Sequence, residues 1–498
     1  MPNSFHILGN EVLGVAQMYA ADAAAVASGI QSLSLMELAG MSCAREIRQQ
    51  FSRCRTAILC GPGNNGGDGF VIARYLQRAG WPIKVGLLGK IEDLKGDAAT
   101  NAKRWQEDGG EINPLSTDLL VWSNLVVDAL FGAGLVRPLQ GPARSLVLAL
   151  LDSGLQCVAI DMPSGVSGDT GEILGGDAGT ATRCDLTITF FRHKPGHLLC
   201  PGRDLCGRVV VADIGIPETV LKGIRPNTTV IGYRLANRIP TPGPADHKYT
   251  RGHVLLFGSI AMSGAIRLGA AAARRIGAGL VTVVAPQDSA ATYRQGAPGL
   301  IFEALELDEP TTRVLADSRQ NVVLIGPGLG VGEVTRERVI DVLATDRAVV
   351  VDADGLTSFA DNPDALFEAI RSSPGEVVLT PHNGEFVKLF GLDGDSNRLS
   401  QCRAAAAKSG AIVLLKGSDT VIACTDGTAA ILAKAPGWLA TAGSGDVLAG
   451  IIAGLLAQGF DAWFAACTGA SVHGAAANLA GPGLIAEDII ENISGVLG

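Results

Sequence analysis

The stretch "CGPGNNGGDGF" at Cys60–Phe70 decides the reading of this chain. It follows a short apolar run, Thr56–Cys60, that reads as a strand, and precedes a helical pattern, Phe70–Ala79. Strand, glycine loop and helix in that order is the repeating unit of an open α/β sheet. Glycines let the backbone approach a ligand closely. The helix N-terminus that follows offers unpaired N–H groups and a partial positive charge to an anion. The loop is neither a GxGxxG dinucleotide fingerprint nor a Walker A motif, since no Gly-Lys-Ser/Thr follows. A glycine-rich turn capped by Asp68 would explain the glycines alone. Three oxygen-bearing side chains in five residues, Asn64, Asn65 and Asp68, favour a site.

Outward from this loop the same alternation continues. Ile83–Leu88, Leu125–Leu130, Cys157–Asp161, Asp185–Phe190 and Arg208–Ala212 read as strands, with helices at Ser34–Phe51, Gly96–Asp108 and Ala143–Ser153. Near-continuous apolar strands are covered on both faces, as in a parallel sheet between helices. Two more strand ends carry acids and glycines. "VVDALFGAGLVRP" brings Asp128, and "VAIDMPSGVSGDTG" brings Asp161 and Ser164. Each acid alone could be a turn or cap residue. In open α/β sheets the ligand crevice lies outside the carboxyl ends of the strands, so the three loops are expected to converge on one crevice.

Between Pro217 and Thr250 the pattern breaks, and "IPTPGPADHKYTRG" reads as a linker. The expected division is a domain over 1–225, a linker over 226–247 and a second domain over 248–498. In the second half His253–Phe257, Leu280–Ala285, Asn321–Ile325, Ala348–Asp352, Glu376–Thr380 and Ala411–Lys416 read as strands. Thr420–Cys424 and Ala429–Leu432 flank Asp426-Gly427, a hairpin signal. Two helices, Val447–Ala457 and Asp461–Leu479, are expected to close the chain.

Composition bounds the rest. The 498 residues suit two to four domains, and 47% hydrophobic against 18% charged residues excludes a disordered chain. Aromatics at 5% and a net charge of −9 argue against a nucleic-acid scaffold or a polybasic membrane binder. The ten scattered cysteines form no CxxC pair, and they read as the thiols of a reducing cytosol. Met1–Gln17 has no basic n-region or long apolar core, and Val447–Ala457 is too short to span a bilayer. A cytoplasmic location is therefore expected. Gly/Ala-rich helix surfaces would allow close subunit packing, and a homo-oligomer is expected.

"GPGNNGGDGF", "VDALFGAGL" and "DMPSGVSGDTG", with "KPG" at Lys194–Gly196 and "DIGIP" at Asp213–Pro217, resemble the YjeF N-terminal domain, the NAD(P)H-hydrate epimerase. The similarity runs from about Leu35 to Ile216. It implies a Rossmann-like three-layer α/β/α fold and substrate contacts at Asn64, Asn65, Gly66, Gly67 and Asp68, along Gly132, Ala133, Gly134, Leu135, Val136, Arg137 and Pro138, and at Asp161. It also implies a potassium ion held by Asn65, Asp128 and Ser164, whose hard oxygen donors suit such a cation. Epimerising the hydroxyl-bearing carbon of a hydrated nicotinamide needs proton transfer or ring opening. A buried carboxylate can act there as general acid or base, and Asp161 is the candidate.

In the second half, "LATAGSGDVLAGIIAGLLA" at Leu439–Ala457 opens an apolar helix on a Gly-Ser-Gly turn, with Asp446 in its first turn. The N–H groups of Gly443–Asp446 form an anion hole beside a carboxylate base, an arrangement suited to phosphoryl transfer onto a hydroxyl. An ordinary buried helix with Asp446 complementing its dipole is the plainer account. "LLKGSDTVI" supplies Lys416 and a turn, Gly417–Thr420, able to hold phosphates. Asp352 and Asp354 in "VVDADGL" could hold Mg²⁺ through water or simply finish a strand, and His382 in "LTPHNGEF" could be structural or functional.

These motifs, with "GSIAMSGAIRLGAAAARRIGAGLVTV" and "GPGLG", resemble the ribokinase-like fold and within it the YjeF C-terminal domain, the ADP-dependent NAD(P)H-hydrate dehydratase, over about Lys248–Leu479. The resemblance implies hydrate contacts at Ala265, Gly328, His382 and Asp446. It implies nucleotide contacts at Lys416, Gly417, Ser418, Asp419, Thr420 and Gly445, with Mg²⁺ accompanying ADP. Phe257 stands where a second glycine is common and Asn383 where proline is, and neither touches a proposed reacting group.

Together the halves resemble the fused, bifunctional NAD(P)H-hydrate repair family. The expected ligands are NAD(P)H hydrates and ADP. Two other readings compete. The C-terminal half could be a vitamin or sugar kinase that releases a phosphorylated product, or the N-terminal half a nucleotide-sensing scaffold without turnover.

Overall fold

The computed structural model describes residues 10–391 and 397–498. Of Met1–Gln17, read above as lacking a signal peptide, residues 1–9 lie outside the described residues. The chain divides into two compact units, Met1–Thr229 and Val230–Gly498.

Unit 1 is built on seven strands: β1 Thr56–Cys60, β2 Ile83–Leu87, β3 Ile112–Pro114, β4 Leu125–Ala129, β5 Gln156–Ile160, β6 Leu186–Phe190 and β7 Arg208–Ala212. Their order is 3-2-1-4-5-6-7, and every neighbouring pair is parallel. The strand periodicity of two sends alternate side chains to opposite faces. Ile58 and Cys60 of β1, Val127 of β4 and Val158 and Ile160 of β5 enter one core with the helices Ser32–Gln50 and Asn64–Arg78. Ala57, Leu59, Val126, Cys157 and Ala159 enter the other with the helix Gly141–Ser153. This is the expected three-layer α/β/α arrangement. Pro114, which cannot donate to a ladder, sits on the edge strand β3, where no donor is needed on the outer side.

Three elements differ from the sequence reading. The helix after the glycine loop begins at Asn64 rather than Phe70, so Asn64–Asp68 form its first turns. Tertiary packing overrides the low helix propensity of glycine there, since Gly66–Arg74 are all buried. A helix not expected at all, Val15–Ala27, buries Met18, Ala21 and Ala25. In the segment read as a linker, Thr228–Ile231 is a strand and Tyr233–Arg238 a 3₁₀ turn, and exposed irregular chain follows.

Unit 2 holds a larger mixed sheet. With β8 Thr228–Ile231, β9 His253–Phe257, β10 Leu280–Ala285, β11 Ile301–Ala304, β12 Val322–Ile325, β13 Ala348–Val351, β14 Val377–Leu379, β15 Ile412–Leu415, β16 Val421–Ala423 and β17 Ala429–Leu432, the order is 11-10-9-12-13-14-15-16-17-8. Strands β9 to β15 pair in parallel, and β15, β16 and β17 are antiparallel, as the Asp426-Gly427 signal indicates. A third helix, Ala486–Leu497, follows the two expected to close the chain.

The helix Ser444–Ala457 is buried along nearly its whole length against the helix Ser263–Ile276. Gly450 permits this close approach: a β-carbon there would strike the backbone of Gly269. Overpacking of this kind typically costs about 1–3 kcal/mol. Gly450→Val is expected to destabilise unit 2 by at least that amount, read as an earlier urea midpoint. An unchanged midpoint would mean that the two helices are not in contact.

Candidate active sites

In unit 1 a cavity of about 560 Å³ opens at the carboxyl ends of the strands. Asn64, Asn65, Asp68, Asp161 and the loop Gly132–Arg137 line it. Of the other expected contacts, Gly66 and Gly67 turn into the fold beside Gly61 and Met36, and Pro138 lies beside Gly175.

Asp161 follows β5 with a positive φ of 65°, a conformation in which aspartate is among the more tolerant residues. Its Oδ1 accepts from Lys194 Nζ at 2.8 Å and from Thr189 Oγ1 at 3.0 Å, and its Oδ2 accepts from the Ala133 N–H at 2.8 Å. Burial pushes this carboxyl up. The Lys194 ammonium, the Ala133 N–H and the Lys194 hydrogen bond outweigh burial and hold it at about 2.

Lys194 is only 2% exposed. His197 braces it: its Nδ1 accepts from the Lys194 N–H at 2.9 Å, so Nε2 carries the proton toward the Asp161 carbonyl at 2.7 Å. Burial and then Lys194 keep that imidazole neutral, at about 3. Asp68, on the helix Asn64–Arg78, is pushed well above the usual carboxylate range by burial, and further by Asp161 and Asp22.

Asp128 lies fully buried in β4. It accepts from Ser164 Oγ at 2.7 Å, the Ser164 N–H at 2.9 Å, Thr182 Oγ1 at 2.6 Å and the Leu130 N–H at 3.2 Å. All four donors are neutral. Burial raises its carboxyl, opposed by those hydrogen bonds. Ser164 Oγ also accepts from the Phe131 N–H at 3.0 Å. The amide nitrogen Nδ2 of Asn65 is buried without a partner.

The carboxyl ends of the strands in unit 2 gather a second cluster. Lys416, just after β15, donates from Nζ to Asp352 Oδ1 at 2.7 Å, and Asp352 is buried at the end of β13. The same ammonium reaches the start of the helix Ser444–Ala457, 3.2 Å from where a β-carbon on Gly445 would stand. Burial opposes its charge, but Asp352, Glu385 and Asp446 raise it above the usual lysine range. Asp446, in the first turn of that helix, is pushed up to about 6 by burial and by Asp352, with Lys416 only partly compensating.

His382 caps the helix Asn383–Phe390. Its Nδ1 accepts from the Gly384 N–H at 2.9 Å and the Glu385 N–H at 3.3 Å, while the backbone N–H of His382 donates to Glu385 Oε2 at 2.8 Å. The ring stays 59% exposed, so the structural role leaves it reachable. Ala265 and Gly328 are neighbours, and Ser259 Oγ holds the Gly328 carbonyl at 2.5 Å. Arg398 wraps the Lys416–Thr420 loop, donating to the carbonyls of Lys416 at 2.6 Å and Asp419 at 3.0 Å and to Asn383 Oδ1 at 2.6 Å. Asp354 Oδ2 accepts from the Gly330 N–H at 2.9 Å.

Sequence reasoning missed Tyr19, Asp22, Thr189 and His197 in the first site and Arg398 in the second. It quoted Lys194 without giving it a role. The "KPGH" run after β6 was the available signal for Lys194 and His197. Arg398 had none, because its partners, the Lys416–Asp419 loop and Asn383, are brought to it only by the fold.

Comparison with known proteins follows the same division. Residues 32–196 match the family described as YjeF-related protein N-terminus, and residues 253–491 match NAD(P)H-hydrate dehydratase. A bifunctional NAD(P)H-hydrate repair enzyme from Moorella thermoacetica is 37% identical over 90% of this chain and 88% of its own. One from Escherichia coli K12 is 32% identical over 94% and 90%. The chain belongs to the bifunctional NAD(P)H-hydrate repair enzymes. An ADP/ATP-dependent NAD(P)H-hydrate dehydratase from Bacillus subtilis, co-crystallised with ATP/Mg²⁺, aligns with 53% of this chain and 94% of its own at a TM-score of 0.46 and 28% identity. Unit 1 has the expected Rossmann-like strand order, and unit 2 is the expected second α/β domain, matched by the dehydratase family.

In this member of the repair family the Lys194–Asp161 pair is the most buried ion pair of the first site. Removing one partner of a buried pair costs about 3–5 kcal/mol. Lys194→Met is expected to lower the stability of unit 1 by that amount near pH 7, measured by urea unfolding. Because the folded Asp161 lies at about 2, below its unfolded value, the pair's stabilisation is complete above about pH 4 and lost as pH falls toward 2. The variant should lose that acid dependence, and an unchanged acid limb would refute the pairing.

Proposed function

We propose that this chain carries out both reactions of its family. Unit 1 interconverts the R and S hydrates of NADH and NADPH. Unit 2 returns the S hydrate to NAD(P)H at the expense of ADP, giving AMP and phosphate. The observation that carries this reading is that both family-matched stretches keep an intact carboxylate centre, Asp161 with Lys194 and Asp446 with Lys416 and Asp352. On this proposal the epimerase domain lies within 1–225 and the dehydratase domain within 248–498, with 226–247, which includes the strand β8, between them.

In the epimerase cavity, Asn64, Asn65, Asp68 and Gly132–Arg137 would hold the hydrate, and the ionised Asp161 would take the proton of its hydroxyl. Potassium fits the residues present. Asp128 is a buried carboxylate with only neutral donors around it, and Ser164 and Asn65 add uncharged oxygens. Potassium there would offset the buried charge and hold the Gly132 loop against the start of the Asn64 helix.

In the dehydratase site, Ala265, Gly328 and His382 would seat the S hydrate, and Gly417–Thr420 with Gly445 would seat the nucleotide. Asp446 takes the proton of the hydrate's hydroxyl as that oxygen bonds to the β-phosphorus of ADP and AMP leaves. The N–H groups of Gly443–Asp446 face the charge on the transferred group. Phosphate then departs with its bonding electrons and a ring proton is lost, which restores the nicotinamide. A hydroxyl is a poor leaving group and phosphate a good one, so the nucleotide drives the dehydration. Mg²⁺ bound to the nucleotide would screen the phosphate charges. Because the Lys416 ammonium is committed to Asp352, its contribution is the positive field it sets at the helix start.

A small-molecule kinase would release a stable phosphorylated alcohol. The match of residues 253–491 to a dehydratase family favours the dehydratase instead. The cytoplasmic expectation is supported by the ten free thiols, and the homo-oligomer remains part of this proposal.

Asp446→Asn should lower NAD(P)H recovery, followed at the nicotinamide absorbance, by about 10²–10⁴-fold while R-to-S conversion continues. Unchanged recovery would sink the mechanism. Since Asp446 must be ionised to act and titrates at about 6, wild-type dehydration should be full above pH 7 and fall about tenfold per pH unit well below 6. Replacing potassium by lithium should slow epimerisation and leave dehydration of the pure S hydrate intact. Equal loss of both rates would count against a potassium site in unit 1.

A further inference from the structure

The reaction proposed for unit 1 needs a proton donor as well as a base, and Asp161 supplies only the base. When the hydrate's hydroxyl loses its proton, the oxygen electrons form a carbonyl and the bond from that carbon to the ring nitrogen breaks. The nitrogen must then receive a proton. Rotation about the freed carbon–carbon bond and reclosure on the other face gives the other epimer and returns both protons. No oxidant or co-reactant is consumed.

The charged or titratable groups lining the cavity are Tyr19, Asp22, Asp68, Asp97, Arg137, Asp161 and Lys194. Lys194 is committed to Asp161, Thr189 and the Phe190 carbonyl, and it sustains the base. Asp68 is buried, so releasing its proton would leave a charge out of reach of water. Arg137 is exposed and does not release a proton at any working pH. Burial and Asp161 make Tyr19 hold its proton more tightly than a free tyrosine, and Asp97 bears on none of Tyr19, Asp22, Asp68 and Asp161; Asp22 differs from all of these. It is half-buried, no hydrogen bond involves its carboxyl among the described residues, and its charge is felt by Tyr19, Asp68 and the Lys194–Asp161 pair.

The helix that carries Asp22 is firmly placed. Val15–Ala27 is anchored by the Val15 N–H to Asp169 Oδ1 at 2.8 Å and by Leu13 N–H to the His193 carbonyl at 2.9 Å. Met18, Ala21 and Ala25 bury one stripe, and Asp22 sits one turn after Met18 on its flank. Tyr19 rests its hydroxyl on Gly134, where any side chain would collide with it. The helix is therefore docked on the same Gly132–Gly134 loop whose Ala133 N–H holds Asp161. It also lies before residue 32, where the family match begins.

We propose that Asp22 is the general acid of the epimerase site, delivering to the ring nitrogen the proton that complements the one Asp161 removes. This rests on the epimerase reading of unit 1. Burial, opposed by Lys194 and aided by Asp161, pushes the Asp22 carboxyl up to about 6, which supports a donor that still holds its proton in mildly acidic solution.

The test uses the full chain and purified R hydrate, with S hydrate formation followed by chromatography. Asp22→Asn should lower kcat by about 10²–10⁴-fold with KM changed only a few-fold, and Asp22→Glu should recover part of the loss. Dehydration of pure S hydrate by the same preparations should match wild type, and an unchanged urea midpoint of unit 1 shows that the unit carrying Asp22 is folded. A wild-type kcat in Asp22→Asn, or a rise in KM alone, would overturn the proposal. Should Asp22→Asn fail to fold, the pH profile decides: wild-type kcat/KM should fall as pH rises above about 6, and a flat profile from pH 5 to 8 would overturn it. Absence of epimerisation by the wild-type chain would instead remove the epimerase reading itself, before any variant is compared.

Discussion

Both sites depend on one constraint: parallel strands covered on both faces leave no room for charge except at their ends. In unit 1 the residues of β1, β4 and β5 alternate between two apolar cores, and the chain becomes polar where those strands stop. The loops that leave the carboxyl ends then bring Asn64, Gly132 and Asp161 to one cavity. Acids at these positions sit at the rim of a low-dielectric slab, where a single neighbouring cation decides whether they ionise.

The two units resolve that competition differently. Lys194 gives its charge to Asp161 directly, and the carboxyl stays ionised at about 2. Lys416 gives its charge to Asp352, which leaves Asp446 only partly compensated, and its carboxyl rises to about 6. Asp161 is therefore ionised at every working pH, whereas Asp446 is poised to hold or lose its proton near neutrality.

Much of this was legible in order along the chain. The apolar runs at Thr56–Cys60, His253–Phe257 and Leu280–Ala285 coincide with strands to the residue, because strands buried on both faces are written as uninterrupted apolar segments. The helix start at Asn64 was not legible, since three glycines there argue against helix by propensity and only packing on Met36, Ala98 and Cys60 reverses that. The helix Val15–Ala27 escaped notice because its alanine-rich sequence shows only a weak amphipathic pattern, and its buried stripe is defined by what it meets.

The sequence by itself determined the two α/β units, the glycine loops at the strand ends and the acids Asp128, Asp161 and Asp446 that those loops present. It could do so because local spacing and residue type carry that information. Only the tertiary structure decided which cation each acid obtains, that Lys416 answers to Asp352, and that Asp22 joins the epimerase cavity from the distant helix Val15–Ala27. Those outcomes depend on the distances between charges far apart in the chain, and on the burial that makes those distances matter.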